Sequence, residues 1–512
     1  MPAERSCQAR VYNRSIQFEK HASTRHHAQG RLPLSTTRRI HVQAPPETAL
    51  ESGIEAIKHE LELPFAFPPD VETAATRAAA NPRLPVEDRS DIAFVTIDPP
   101  GAMDLDQALH VARKDGGYVV HYAIADVAAF VAAGEAVDLE ANRRGETLYG
   151  ADSKIPLHPK VLSEGAASLL PGQVRPALLW TIELDRSGEG IVVDVHRALV
   201  KSRERLDYDG VQRRIDAGDA DPMWAVLREI GELRIQREQR RGGVSLPLPE
   251  QEIRVRDGAW QLEFRARHPV EDWNEQISLL TGMAAAHLMM EHKVGLLRTL
   301  PEPDPRAIGR LRRSARALGI DWPEQHNYPD FIRSLDPADP RHIAMMVSCT
   351  AVLRGAGYAA FDGELPAQPL HSALASNYAH VTAPLRRLVD RYTSEVCVAL
   401  CAGQPVPEWV LQALPGLPAT MADADRRAGR FERSVIDLAE ALMLASRVGE
   451  TFRGTIVEIE RQDHDEGVVM LHALAIEAHV ASSAKLPLGE TVNVRLVEAD
   501  PAARRVRFEL VV

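Results

Sequence analysis

Cysteine is nearly absent. Cys7, Cys349, Cys397 and Cys401 are the only four in 512 residues, without a CxxC pair or regular spacing, which argues against a disulfide framework and a zinc site. Reduced thiols and a cytoplasmic location are expected. Long apolar runs are missing too: no stretch approaches the ~18 consecutive apolar residues of a membrane span. The first thirty residues interleave His and Arg with no apolar segment of the export-signal type. A protein without a membrane partner is expected. Positive charge is not in excess, because 60 Lys and Arg stand against 72 Asp and Glu for a formal net charge of −12. This argues against wholesale coating of nucleic acid, and any polyanion site has to be a local basic channel. Aromatic residues make up only 5%, so stacking on bases is limited to a few positions.

What is present is an ordinary globular composition, 45% hydrophobic and 26% charged, long enough for a large core and more than one domain. Residues 1–35 are polar without a sustained period and are expected to form a flexible extension. In residues 36–85, Leu50, Ile54, Ile57 and Leu61 recur at helical spacing, and Val71 to Ala80 reads as a second helix ended by Asn81-Pro82. This small helical domain is either a nucleic-acid-binding pair or a cap on the next domain. Residues 86–447 begin with strands: Ala93, Val95 and Ile97 alternate as a half-buried strand, followed by YVVHYAIAD (118–126), LLWTIELD (178–185) and IVVDVHRALV (191–200). The loop-rich stretch 134–176 lies among them. Helices come after these strands, on the stripe Trp273, Ile277, Leu280, Ala284 and Leu288, from Asp304-Pro305 to Gly319, from about Pro384, and over 420–447. Strands then helices predict an α+β domain, helices covering a mostly antiparallel sheet. Residues 448–512 hold five short strands, the number of an OB-type barrel, with Phe452 and Phe508 as its only stacking candidates.

Two stretches carry chemistry. In DIAFVTIDPPGAMDLDQ (91–107) the strand end delivers Asp98, a Pro-Pro-Gly breaker turns the chain, and Asp104 and Asp106, two apart, share a face. Three carboxylates on one loop outline a hard cation site of the kind Mg2+ occupies with waters and substrate phosphate; a solvated acidic loop is the plain alternative. In HVTAPLRRLVDR (380–391) a proline at a helix start places Arg386 and Arg387 in the first turn, where exposed amide donors already favour an anion. Asp390, four residues on, is placed to hold Arg386. The basic segments 201–205, 237–241 and 426–433 are either solvated faces or parts of a polyanion path.

Four blocks, DIAFVTIDPPGAMDLDQAL, YAIADVAAFV, LYGADSKIPLHPKVLSEGAASLLPGQVRPAL and HSALASNYAHVTAPLRRLVDR, together resemble the catalytic domain of the ribonuclease II and ribonuclease R family. The resemblance implies an RNB-type catalytic domain and a C-terminal OB barrel that binds RNA. It also implies processive 3′→5′ hydrolysis of single-stranded RNA to nucleoside 5′-monophosphates by two Mg2+ ions, with Mn2+ as an alternative, in RNA turnover. Asp98, Asp104 and Asp106 match the metal-binding aspartates, and Asp106 and Arg386 are the catalytic pair. Gln107 stands where the family usually has a fourth aspartate, which leaves it a weaker member of the metal shell and puts a second ion in doubt. Tyr149 matches the aromatic that stacks on the terminal base, and Arg386, Arg387 and Arg391 are the RNA-binding arginines. Tandem cold-shock barrels are not readable before the catalytic domain. A monomer is expected. The alternatives are a catalytically weakened RNA-binding protein on the same scaffold and, from a third class, a small-molecule phosphatase.

Overall fold

The computed structural model describes residues 47–512, except 151–153, 219–220, 247–249, 257–258, 266, 461–464, 472–473, 475 and 512. The extension expected over 1–35 lies outside the described residues. Both helices expected in the next segment are present. Helix α1 (Glu47–Glu60) buries Leu50, Ile54 and Ile57, the stripe its spacing implies. Helix α2 (Pro69–Ala80) starts on a proline and buries Val71 and Ala75.

Strands β1 (Phe94–Asp98), β2 (Gln107–Lys114) and β3 (Gly117–Ala125) come next. The β2–β3 hairpin turns on Asp115-Gly116, both at positive φ (47° and 80°), as a two-residue loop between right-twisted strands requires. Helix α3 (Ala136–Arg144) and the two-residue strands β4 (Leu148–Tyr149) and β5 (Lys154–Ile155) occupy the stretch read as loop-rich. Long strands β6 (Val174–Leu184) and β7 (Gly190–Asp207) complete a closed barrel, ordered β1-β2-β3-β6-β7 and antiparallel except where β1 meets β7. Closure buries both faces of β1: Phe94 joins one core, while Val95 and Ile97 join another. The half-buried reading of that strand is corrected by this, because the second face lies under the α2 side of the barrel.

Helices α4 (Tyr208–Asp216) and α5 (Pro222–Arg241) come after β7, the latter capped by the Asp221 carboxylate on the Met223 N–H and stopped by Gly242 at φ 89°. A hairpin, β8 (Glu250–Arg256) and β9 (Ala259–Arg265), leads to helix α6 (Pro269–Glu291), which buries the expected Trp273 to Leu288 stripe. Strand β10 (Val294–Thr299) precedes α7 (Pro305–Ala317), which has the expected Asp304 cap, first-turn proline and Gly319 at φ 67°. Helices α8 (Tyr328–Arg333) and α9 (Pro340–Thr350) and the short strands β11 (Gly357–Asp362), β12 (Leu370–His371) and β13 (Ser376–Asn377) lead to α10 (Leu388–Cys401).

Helix α11 (Glu408–Ala413) and the 28-residue α12 (Leu417–Leu444) then reach a second closed barrel. Its strands are β14 (Thr451–Ile459), β15 (Glu466–Leu471), β16 (Glu477–Ala481), β17 (Thr491–Asp500) and β18 (Arg505–Leu510). All five expected strands are there, in the order β14-β15-β16-β18-β17. Phe452 and Phe508 do not offer stacking faces. Their rings meet edge to face at 5.7 Å inside this barrel's core, with Phe508 completely buried. One hydrophobic core runs from Leu50 and Ile57 through Leu148, Phe431 and Val435 into Ile456 and Phe508, joining α1, β4, α12 and the barrel. Among the described residues no helix is long and apolar enough to cross a membrane.

Candidate active site

The end of β1 is held in parallel register with β7, Asp98 opposite Asp207. Gly101 takes φ 84° in the breaker, a conformation that favours glycine. The loop is then pinned from outside the acidic stretch: Ser168 Oγ donates to the Met103 carbonyl at 2.6 Å and accepts from the Leu105 N–H at 3.0 Å. Leu105 itself is fully buried between the two acids. While Leu105 is turned into the core, Asp104 pairs with Lys154 and Asp106 accepts from the Leu385 N–H. Leu385 belongs to the same apolar cluster as Leu105. That shared core brings the 380s segment onto the acidic loop.

Asp106 is 2% exposed. Its Oδ1 accepts from the Leu385 N–H at 2.7 Å, and its Oδ2 lies 3.6 Å from Arg386 Nε. Burial pushes its pKa well above the usual carboxylate range, against the pull of Arg386 and the Leu385 N–H. Asp98 is pushed up to about 7 by burial and by the charge of Asp104, with Arg386 opposing. Its Oδ2 is buried without a hydrogen-bond partner. A buried carboxylate oxygen that no donor satisfies, beside further carboxylates, suits a cation. Asp104 has a different partner: Lys154 Nζ sits 2.6 Å from its Oδ1 and 2.9 Å from Glu164 Oε1. Among the described residues, the one triad of acid or imidazole ligand atoms all within 4.8 Å of one another is Glu460, Glu466 and His479 in the second barrel. The three loop aspartates are spread wider.

Tyr149 is half-exposed and pairs directly with Lys154 across β4 and β5. Leu148 and Ile155, the other pair, face the core, so Tyr149 and Lys154 share the opposite face beside Asp104. The ribbon is tied to the 380s by the Thr147 N–H, which donates to the Arg386 carbonyl at 2.9 Å. The Gly145 carbonyl accepts from the Leu388 N–H at 2.9 Å, and glycine is needed there for a close approach to α12: at φ 78° a Cβ would stand 2.5 Å from Ala424.

Arg386 and Arg387 do not lie in a helical first turn, since α10 begins only at Leu388 with Arg387 as its cap residue. Asp390 pairs with Arg387, at 2.5 and 2.9 Å, and not with Arg386. Three residues separate Asp390 from Arg387, and the non-helical backbone before Leu388 aims Arg386 away. Arg391 is 4% exposed, ion-paired to Asp138 at 2.5 Å and bonded to the Val131 carbonyl at 3.0 Å. The structure therefore does not bring Arg387 and Arg391 to the surface with Arg386. It leaves Arg386, with its side chain 44% exposed, as the arginine facing the acids. Gln107 turns its amide nitrogen to the Thr382 carbonyl and acts as a tie between β2 and the 380s.

The basic segments are largely committed elsewhere. Arg203 pairs with Asp221, Arg237 with Glu189, Arg426 with Asp423, and Arg427 with the carbonyls of Arg143 and Arg144. Sequence reasoning missed Lys154, Glu164 and Ser168. The only signal was their position inside a long irregular stretch between strands, since cross-strand pairing of β4 with β5 leaves no periodic trace in four residues.

A family model described as the RNB domain matches residues 86–401, and one described as the RNase II-type exonuclease C-terminal S1 domain matches residues 450–511. The chain is 27% identical over 431 residues to ribonuclease R of Thermotoga maritima, covering 79% of this chain and 60% of that protein. It thus spans about 60% of the length of this curated relative. Among solved structures, the apo form of Mycoplasma genitalium RNase R matches with a TM-score of 0.80 at 22% identity, covering 90% of this chain and 78% of that one. The structure of yeast Ssd1, described as a pseudonuclease, matches with a TM-score of 0.65 at 16% identity, covering 89% and 57%.

Proposed function

The chain belongs to the ribonuclease II and ribonuclease R family of RNB-domain proteins, and on that premise we propose that it is a processive 3′→5′ exoribonuclease releasing nucleoside 5′-monophosphates from single-stranded RNA. The observation that carries this reading is Asp106, a buried carboxylate held by the Leu385 N–H and faced by the Arg386 guanidinium. The orphaned oxygen of Asp98 and the raised affinity for protons at both sites support a cation as their natural counterpart. Asp98, Asp104 and Asp106 would hold it. Bound there, Mg2+, or Mn2+ in its place, supplies Lewis acidity toward the scissile phosphate and an activated water.

The chain's own groups do the rest. Arg386, exposed on one side and anchored toward Asp106 on the other, binds non-bridging phosphate oxygens and offsets the charge that develops on them. The exposed ring of Tyr149 offers a stacking face for the terminal base. Asp106 follows the buried Leu105 and is bonded by the N–H of the buried Leu385, which keeps it out of bulk water and strengthens its charge contact with Arg386. The second barrel extends the RNA grip, through charge and hydrogen bonds because its two phenylalanines are internal. A cytoplasmic monomer acting in RNA turnover is the setting this reading implies.

The test is incubation with 5′-labelled single-stranded RNA, with Mg2+ and with chelator. A 3′-shortening ladder that chelator abolishes is expected; no Mg2+-dependent product would overturn the reading. Gln107, a neutral side chain whose amide nitrogen donates to the Thr382 carbonyl, favours a second reading, a catalytically weakened RNA-binding protein. That reading requires a salt-sensitive band shift with the RNA intact.

A further inference from the structure

Lys154 is built into the acidic wall. Its ammonium bridges Asp104 and Glu164 at 2.6 and 2.9 Å, and all three side chains are largely covered, with 21%, 14% and 21% exposure. The anchor on each side is independent. Lys154 is fixed by β4–β5 pairing, opposite Tyr149, whereas Glu164 lies in the helical turn Leu162–Ala166 and Asp104 in the loop pinned by Ser168. Buried lysines are kept charged by such double pairing. The four carboxylates Asp98, Asp104, Asp106 and Glu164 face two fixed cations, Lys154 and Arg386. One divalent ion brings that set to neutrality. A second would leave excess positive charge, and Gln107 offers no anion to absorb it. The three aspartates do not all bring an oxygen within 4.8 Å of one another, and Asp104 Oδ1 is taken by the ammonium.

We propose that Lys154 is the site's second cation: an ammonium clamped by Asp104 and Glu164 that takes the place of a second metal ion, so that the chain binds one divalent ion, centred on Asp98 and Asp106. This rests on the hydrolytic reading above. Lys154 positions Asp104 and places a permanent positive charge beside the phosphate path; its charge needs no metal to be loaded.

The test counts Mn2+ by electron paramagnetic resonance on the full chain, without RNA, as the difference from the Asp98→Asn, Asp106→Asn double variant. The subtraction removes ions bound elsewhere, including at Glu460, Glu466 and His479. One ion is expected for the native chain, two for Lys154→Met, and one for Lys154→Arg, each with its melting temperature recorded. In single-turnover hydrolysis the native rate should rise with Mg2+ at a Hill slope near one. Lys154→Met should lose about tenfold at low Mg2+ and recover at high Mg2+ with a slope near two, a second ion replacing the lost charge. Two Mn2+ on the native chain, or one on Lys154→Met with an unchanged rate profile, overturns the proposal while leaving the hydrolase intact. A chain that binds no Mn2+ and releases no nucleotide overturns both.

Discussion

Arg386 Nε lies 3.6 Å from Asp106 Oδ2, one partner half in solvent and the other sealed away. The neighbouring Leu385 N–H, 279 positions from Asp106 in sequence, holds the other carboxylate oxygen. A single dipeptide thus orients the buried acid with its amide and faces the solvent with its guanidinium. Anything that shifts the 380s segment should disturb both together.

Asp106→Asn keeps the shape and one acceptor oxygen but removes the charge. RNA affinity should change little and nucleotide release should disappear. Filter binding measured beside single-turnover hydrolysis decides it, and undiminished release would remove Asp106 from the chemistry.

Arg386→Ala and Arg391→Ala should separate cleanly. The first removes a half-exposed charge and should lower the single-turnover rate at least ~100-fold, the scale of one lost oxyanion donor, with melting temperature almost unchanged. The second strands Asp138 in the interior and should cost about 3–5 kcal/mol of stability. A rate defect in Arg391→Ala without a fall in melting temperature would place that arginine on RNA after all.

For Tyr149→Ala the expected change is in the last steps of digestion. Stacking is worth about 1–3 kcal/mol per base, so short ends should be released earlier and the limit product should lengthen. Denaturing gels of exhaustive digests report it. A limit product of native size would count against stacking.

The pH prediction concerns Glu146, whose carboxyl is pushed up to about 7 by burial and by Asp425, with Arg387, Arg298 and Arg427 opposing. Its folded pKa exceeds its unfolded one, so the folded chain keeps a proton that the unfolded chain gives up. Its contribution to stability is full below about pH 4.5 and fades as pH rises through about 7. The difference in melting temperature between Glu146→Gln and the native chain should therefore grow in favour of the variant from pH 5 to 8. A difference that does not vary with pH would mean Glu146 is already ionised throughout.

The sequence was most readable where one pattern acts locally. The caps of α7, the stripe of α6, each of the five strands of the second barrel and the acidic loop are written in residues close together in the chain. Closure of the first barrel was not readable, because the parallel contact of β1 with β7 joins distant segments and buries a face that local alternation leaves open. Helix α5 was hidden by its arginines, which read as a charge run although Trp224, Leu227 and Ile230 are buried. Within the site, Asp98, Asp104, Asp106, Tyr149 and Arg386 were recognisable by motif. The diversion of Arg387 to Asp390, and the clamp on Lys154, depend on where a helix starts and how two-residue strands pair, which tertiary packing decides.

The continuous core that links α1, the Tyr149 ribbon, α12 and the C-terminal barrel has one more consequence. Phe431 and Val435 are shared by both neighbourhoods, so neither can melt without exposing the other's apolar surface. Heat or denaturant should meet these parts as one cooperative unit. Truncation at Gly449 would then yield an insoluble stump in place of a smaller working nuclease.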